Sequence, residues 1–324
     1  MGEITKEAAT DKIHDVIMIG AGPSALTAAV YTTRENVETI LLEKGVVGGL
    51  AAITDWVDNY PGFAEGVSGM ELAERLEKQA NRFGADIRYG EVTGITDGKD
   101  YKTVHTYDGD MKARAVLIAT GSDYKRIGVP GEEEYYGRGV HFCATCDGAF
   151  YKEKKLAVVG GGNSAVQEAL FLTRFATHID LLVRSTIKAS DVLQKDLDKA
   201  VEKGQITIHL NTTTDEIIAD DGKSVNKVNV TTDGTKTEIL ADGVFVFVGL
   251  KPNTEFLHDS NIELDEIGLI KTDKGLQTNI RGVFASGDVR SGATAQIASA
   301  VGEGATAALK MREYIEDDER TRLY

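Results

Sequence analysis

Apolar residues in this chain gather in short unbroken runs, each stopping at a glycine and followed by a stretch of helical spacing. Asp15 opens the run Val16-Ile17-Met18-Ile19, which stops at Gly20; such a run bounded by a turn residue predicts a strand covered on both faces. From Ser24 to Arg34, Ala25, Leu26, Ala29 and Val30 recur at helical spacing, and Thr39-Ile40-Leu41-Leu42 predicts a second strand ending at Glu43. Together these make one βαβ unit. The same grammar returns later, with Leu156-Ala157-Val158-Val159 running into Gly160. A helix through Ala165, Ala169 and Leu170 follows, and then a strand, Ile179-Asp180-Leu181-Leu182. Glu43 stands 23 residues after Gly20, and Val183 stands 23 after Gly160. The equal offset makes the two stretches read as copies of one nucleotide-binding fold.

Between and after the copies, Ala115 to Gly121 predicts a buried strand entering a turn. Val244 to Val248 predicts another, entering Gly249 and then Pro252-Asn253. Lys223 to Leu240 alternates apolar and polar residues around Asp233-Gly234, the pattern of a hairpin. The highly charged tail beyond Lys310 predicts a helix that frays. The simplest layout is an insertion. One domain comprises residues 1–121 and 251–324, and a second, 122–250, sits inside it. The expected fold class is therefore α/β, with two Rossmann-like dinucleotide-binding domains, the second inserted into the first.

Composition narrows the partners. At 324 residues the chain can bury two cores, and its 35 glycines against 4 prolines suit tight β-to-α turns. A net charge of −15 with interspersed signs disfavours nucleic acid and anionic membrane. No apolar run approaches membrane-spanning length, and the polar stretch Met1 to Asp15 has no signal-peptide character. A cytoplasmic location is the expectation. Two cysteines do not make a disulfide scaffold; closely spaced in a reducing compartment, they point to redox chemistry or metal.

The chemistry concentrates in three places. In Gly20-Ala21-Gly22-Pro23-Ser24-Ala25, Gly20 permits a tight turn, Gly22 lets backbone approach a pyrophosphate, and Ala25 lets helix pack on strand. The helix start offers free N–H groups, and Glu43 can accept ribose hydroxyls. The bland alternative is a structural strand-to-helix turn. Gly160-Gly161-Gly162-Asn163-Ser164-Ala165 has the same context, but its strand ends in Val183 followed by Arg184, Ser185, Thr186 and Lys188. Losing the acid and gaining cations favours a 2′-phosphate, hence NADPH over NADH; the alternative is a nucleotide fold without its ligand. Third is Cys143-Ala144-Thr145-Cys146-Asp147, which holds both cysteines. It can be a dithiol in which one sulfur attacks and the other resolves, a zinc site, or a pair of inert thiols. Zinc lacks ligands: His141 is near, but no second Cys or His pair exists, so no metal is expected. Asp147 is placed to manage thiolate charge, or is simply a cap or turn residue.

These motifs resemble the low-molecular-weight thioredoxin reductases along nearly the whole chain. Gly20–Ala25, Gly48-Gly49-Leu50, Asn59-Tyr60-Pro61-Gly62, Ala119-Thr120-Gly121, the Cys143–Gly148 string and Ala285-Ser286-Gly287-Asp288-Val289 fall in that family's order. The resemblance implies a homodimer with FAD in the outer domain, Asp288 on the ribityl chain and Gln296 beside the flavin ring. It makes Cys146 the thiol nearest the flavin, Cys143 the one that attacks thioredoxin or a thioredoxin-like protein, and Asp147 the acid/base. It also implies two domain orientations, with hinges near Gly121 and Lys251. Two departures stand out. NADPH-using members carry His-Arg-Arg and a further Arg where this chain has Val183 to Lys188, and some relatives lacking that segment accept electrons from ferredoxin or another reduced donor. Ala295 stands before Gln296 where the family usually has Arg.

Overall fold

The computed structural model describes residues 12–54, 56, 57 and 59–322. The amino-terminal reading up to residue 11 lies outside the described residues. The chain divides into two compact units, Met1–Asp123 with Lys251–Tyr324, and Tyr124–Leu250.

In the first unit the predicted βαβ is present as strand Ile13–Ile19, helix Pro23–Arg34 and strand Thr39–Glu43. The sheet runs Asp86–Tyr89, Thr39–Glu43, Ile13–Ile19 and Met111–Ile118 in parallel. Val283–Ala285 joins Met111–Ile118 in parallel, and Lys102–Thr106 and Val92–Asp97 extend the sheet antiparallel. Both faces are covered, which accounts for the unbroken apolar run. Val16 and Met18 pack with Ala25, Ala29, Ala307 and Met311, while Ile17 and Ile19 pack with Val104, Ile270 and Val283. Each of the buried Val, Ile and Met side chains contributes roughly 1.5–3 kcal/mol of burial.

The charged carboxy-terminal segment is helical, as its sequence predicts. Helix Ile297–Arg322 continues to the end of the described residues. Its charges ride outside while Ala307, Ala308, Met311 and Ile315 are buried, and Arg114 donates to the Ile315 carbonyl at 2.9 Å. Gly304 lets this helix cross the first one closely: a Cβ there would stand 2.1 Å from the Ser24 carbonyl oxygen.

The second unit repeats the plan with a parallel sheet ordered Val140–His141, Gly243–Val246, Lys155–Val159, His178–Leu182 and Ile206–His209. Helix Asn163–Leu172 follows the central strand. Leu156 and Val158 face Val166 and Ala169 on one side, and Ala157 and Val159 face Val228 and Val230 on the other. The hairpin lies at Lys227–Thr232 and Thr235–Leu240, with Asp233 at φ 48° and Gly234 at φ 82°. Two successive left-handed residues are what a two-residue turn of that hand requires. A third strand, Thr212–Ile218, which the alternation did not reveal, completes this small antiparallel sheet.

Candidate active site and nucleotide cradles

The first nucleotide turn sits at the carboxyl ends of parallel strands, where α/β sheets bind ligands. Gly20 has φ +100°, and a Cβ there would lie 2.5 Å from the Ala119 carbonyl oxygen, so no other residue fits. Gly22 has open space before it, no side chain caps the helix, and Pro23 occupies its first turn. The early N–H groups, Ser24 and Ala25 among them, therefore remain available to an anion. Glu43 is held by two backbone donors, Ala21 N–H at 2.8 Å and Gly45 N–H at 2.7 Å, with lone pairs left for hydroxyls. Gly49 and Leu50 lie in the single turn Gly49–Ala51, and Gly49 faces Gly22.

Residues far apart in sequence meet here. Asn59 Nδ2 donates to Gln296 Oε1 at 3.0 Å, just before helix Ile297–Arg322. Thr120 Oγ1 donates to the Asn253 carbonyl at 2.8 Å, and Asn253 Nδ2 returns a bond to the Thr120 carbonyl at 3.0 Å. Gly121 follows with φ +68°. Gly287, also left-handed at φ +74°, donates its N–H to Glu303 Oε2 at 2.8 Å. Arg290 pairs with the same carboxylate. Asp288 Oδ1 is buried without a hydrogen-bond partner. Burial, and then the neighbouring Glu303 charge, push its carboxyl up to about 6.

At the second turn Gly160 has φ +142°, and a Cβ there would meet the Phe247 carbonyl oxygen at 2.4 Å and the Ala165 Cβ at 2.7 Å. Gly162 again faces open space, with Asn163 and Ser164 exposed at the helix start. Lys188 N–H donates to the Gly161 carbonyl at 2.6 Å, and Ser190 N–H donates to Asn163 Oδ1 at 2.8 Å. These bonds tie the 184–190 loop to the helix start and leave the side chains of Arg184 and Lys188 in solvent. Val183 is 2% exposed and offers a ligand nothing.

Cys143 and Cys146 form a disulfide, with Cα atoms 5.3 Å apart across the single turn Ala144–Asp147. Both are half-buried, while Thr145 between them is exposed. The Cys146 N–H points at Cys143 Sγ from 3.2 Å, a donor that would stabilise a thiolate there. Asp147 follows directly, its Oδ2 3.3 Å from His141 Nδ1. No group of three His, Cys, Asp or Glu able to hold a metal occurs among the described residues.

The family model described as pyridine nucleotide-disulphide oxidoreductase matches residues 14–304. A thioredoxin reductase of Bacillus subtilis is 44% identical over 313 residues, 96% of this chain and 98% of that protein. One from Treponema pallidum is 38% identical, covering 94% and 97%. The crystal structure of thioredoxin reductase from Streptococcus pyogenes superposes with a TM-score of 0.89 at 38% identity, covering 95% of this chain and all of that one. The chain belongs to the pyridine nucleotide-disulphide oxidoreductase family. Within that family it falls with the thioredoxin reductases, and the α/β plan with two dinucleotide-binding domains is the family's own.

This family uses FAD and NADPH. The residues present fit the flavin nucleotide: an uncapped helix start behind an open glycine, a pinned carboxylate at Glu43, and a buried Asp288 oxygen with no partner of its own. No helix among the described residues is long and apolar enough to cross a membrane. Three contributors have no signal in the sequence. Glu303 and Arg290 pair only in the fold. Tyr151 meets His141, whose proximity to the cysteines in sequence points only to zinc.

Proposed function

We propose that this chain is a thioredoxin-disulfide reductase, passing electrons from NADPH through FAD and the Cys143–Cys146 pair to thioredoxin. The observation that carries this reading is the half-buried disulfide followed directly by a half-buried carboxyl, within a unit that also presents an open glycine-rich nucleotide turn.

In this reading residues 1–121 and 251–324 form the FAD domain, and residues 122–250 the NADPH domain bearing the dithiol. Gly20, Gly22, Pro23, Ser24, Ala25, Glu43, Gly49 and Leu50 hold the nucleotide end of FAD. Asn59, Ala119, Thr120, Gly121, Gly287, Asp288 and Gln296 line the rest. Bound FAD supplies the two-electron redox step between nicotinamide and disulfide. Gly160, Gly162, Asn163, Ser164 and Ala165 receive the NADPH pyrophosphate, and Arg184 and Lys188 meet its 2′-phosphate.

The reduced pair then works as a dithiol. Cys143, the sulfur facing a backbone donor, attacks the partner disulfide and forms a mixed disulfide. Cys146 displaces the partner sulfur and restores the intrachain bond. Two electrons leave this chain, and Asp147 moves the proton from each thiol to a departing thiolate. A homodimer and a cytoplasmic setting go with this reading.

A second reading keeps the dithiol and changes the donor. Val183 is buried where a ribose acid would stand, and the two cations after it are exposed. That thin 2′-phosphate site favours ferredoxin or another reduced donor. Anaerobic titration separates the two: micromolar NADPH bleaches the flavin spectrum under the first reading. A flavin that stays yellow with NADPH but bleaches with reduced ferredoxin selects the second.

A further inference from the structure

Behind the dithiol, in the same unit, lies a polar cluster that the family reading does not require. His141 ends the strand Val140–His141 and is the ladder partner of Phe245. Its imidazole stacks on the Phe245 ring, centroids 5.1 Å apart, and its side chain is only 8% exposed. Nδ1 lies 3.3 Å from Asp147 Oδ2, and Nε2 lies 2.7 Å from the Tyr151 hydroxyl. Gly243 makes room for Tyr151. It stands two residues before Phe245, so both face the same side of the strand. A Cβ at 243 would sit 2.4 Å from the Tyr151 ring.

Both nitrogens of this imidazole are spoken for, which fixes the order of donors. Burial, with help from the Asp147 and Asp242 charges, raises the Tyr151 phenol above its ordinary range, so its proton stays on. Its O–H donates to Nε2, and that leaves the ring proton on Nδ1, aimed at the Asp147 carboxylate. The other titratable and charged groups near the cluster are Asp242, just ahead of strand Gly243–Val246, and Tyr136, which feels both Asp147 and Arg126.

We propose that His141 is a positioning residue for dithiol exchange, holding the Asp147 carboxylate through Nδ1–H while Tyr151 locks that tautomer. This rests on the reading of Cys143–Cys146 as the redox pair and Asp147 as its acid/base. As the intrachain S–S bond forms and the partner's breaks, each proton travels from a cysteine thiol to Asp147 and on to a departing partner thiolate. After each delivery the carboxylate is an anion, and the imidazole N–H is the donor that steadies and aims it. His141 itself need not touch sulfur.

The test is the pH dependence of kcat/KM for thioredoxin in the FAD-loaded enzyme, for the parent and for His141→Phe, His141→Asn and Tyr151→Phe. Phenylalanine keeps the stack on Phe245 and removes both nitrogens; asparagine restores an N–H near Nδ1. The expected result is a fall on the order of tenfold for H141F, with a pH profile displaced from the parent's, because the donor that holds and aims the carboxylate is gone. H141N recovers most of the rate and the parent profile, and Y151F falls between. The proposal is overturned if H141F keeps the parent rate and profile, or if it loses rate with an unshifted profile and H141N does no better. If H141F fails to load flavin, H141N and Y151F decide in its place: a parent-like profile in Y151F with a crippled H141N rejects the relay. A parent enzyme that cannot reduce thioredoxin at all defeats the underlying reading instead, a separate outcome.

Discussion

Asp288 is half-buried near Glu303, and with its buried oxygen unpartnered its carboxyl is pushed up to about 6 by desolvation and by that neighbour. A folded-state value above the unfolded one, about 3.9, means protonation favours the fold. The contribution is full below about pH 4 and is lost as pH rises through about 6. For the flavin-free protein this costs roughly 2–3 kcal/mol at neutral pH. Asp288→Asn is therefore expected to raise the melting temperature of flavin-free protein at pH 7.5, change it little at pH 4, and weaken FAD retention. Equal melting temperatures at both pH values, measured by calorimetry, would contradict it.

Two glycines on the last helix separate steric need from helix propensity. Gly304→Ala puts a Cβ 2.1 Å from the Ser24 carbonyl oxygen, whereas Gly302→Ala meets nothing within 4 Å. The first should destabilise by about 2–4 kcal/mol despite better propensity, and the second should stabilise by about 0.5–1 kcal/mol. Urea midpoints of the two variants should move in opposite directions.

Cys143→Ser and Cys146→Ser should each cut thioredoxin turnover by at least about a thousandfold, since both sulfurs are needed for exchange. Reduction of bound flavin by NADPH should stay within about twofold of the parent in stopped-flow absorbance. A Cys143→Ser enzyme that turns thioredoxin over at the parent rate would end the dithiol assignment.

Arg184→Ala and Lys188→Ala, both at exposed positions, should each raise KM for NADPH about tenfold or more and leave NADH use unchanged, because only the 2′-phosphate needs these cations. Equal effects on both nucleotides would move the 2′-phosphate elsewhere.

What could be read from the chain was whatever local sterics impose. Gly20 and Gly160 had to be glycine because a carbonyl oxygen stands where a Cβ would go, and Asp233-Gly234 adopts the left-handed pair its hairpin needs. Strand Thr212–Ile218 stayed hidden because Asp215 and Glu216 interrupt its alternation near a register shift. The closing helix was legible as a helix, but its buried face was not, because its charges obscured the spacing of Ala307, Met311 and Ile315, which the fold turns inward. The His141–Asp147–Tyr151 cluster could not be read at all. It depends on a ladder partner, Phe245, a hundred residues downstream, and on the space left by Gly243.

Lys125 N–H bonds the Gly249 carbonyl at 3.0 Å, and Asn253 N–H bonds the Gly121 carbonyl at 3.0 Å. The inserted segment thus begins and ends at nearly one point, and so does the gap it leaves in its host. Once that segment has folded, the host strands at Met111–Ile118 and Val283–Ala285 are tethered by a short span instead of a long floppy one, and the entropic toll of bringing them together shrinks. An interior module that closes before its surroundings acts as their staple, since its residues precede the returning strand Val283–Ala285 in the chain.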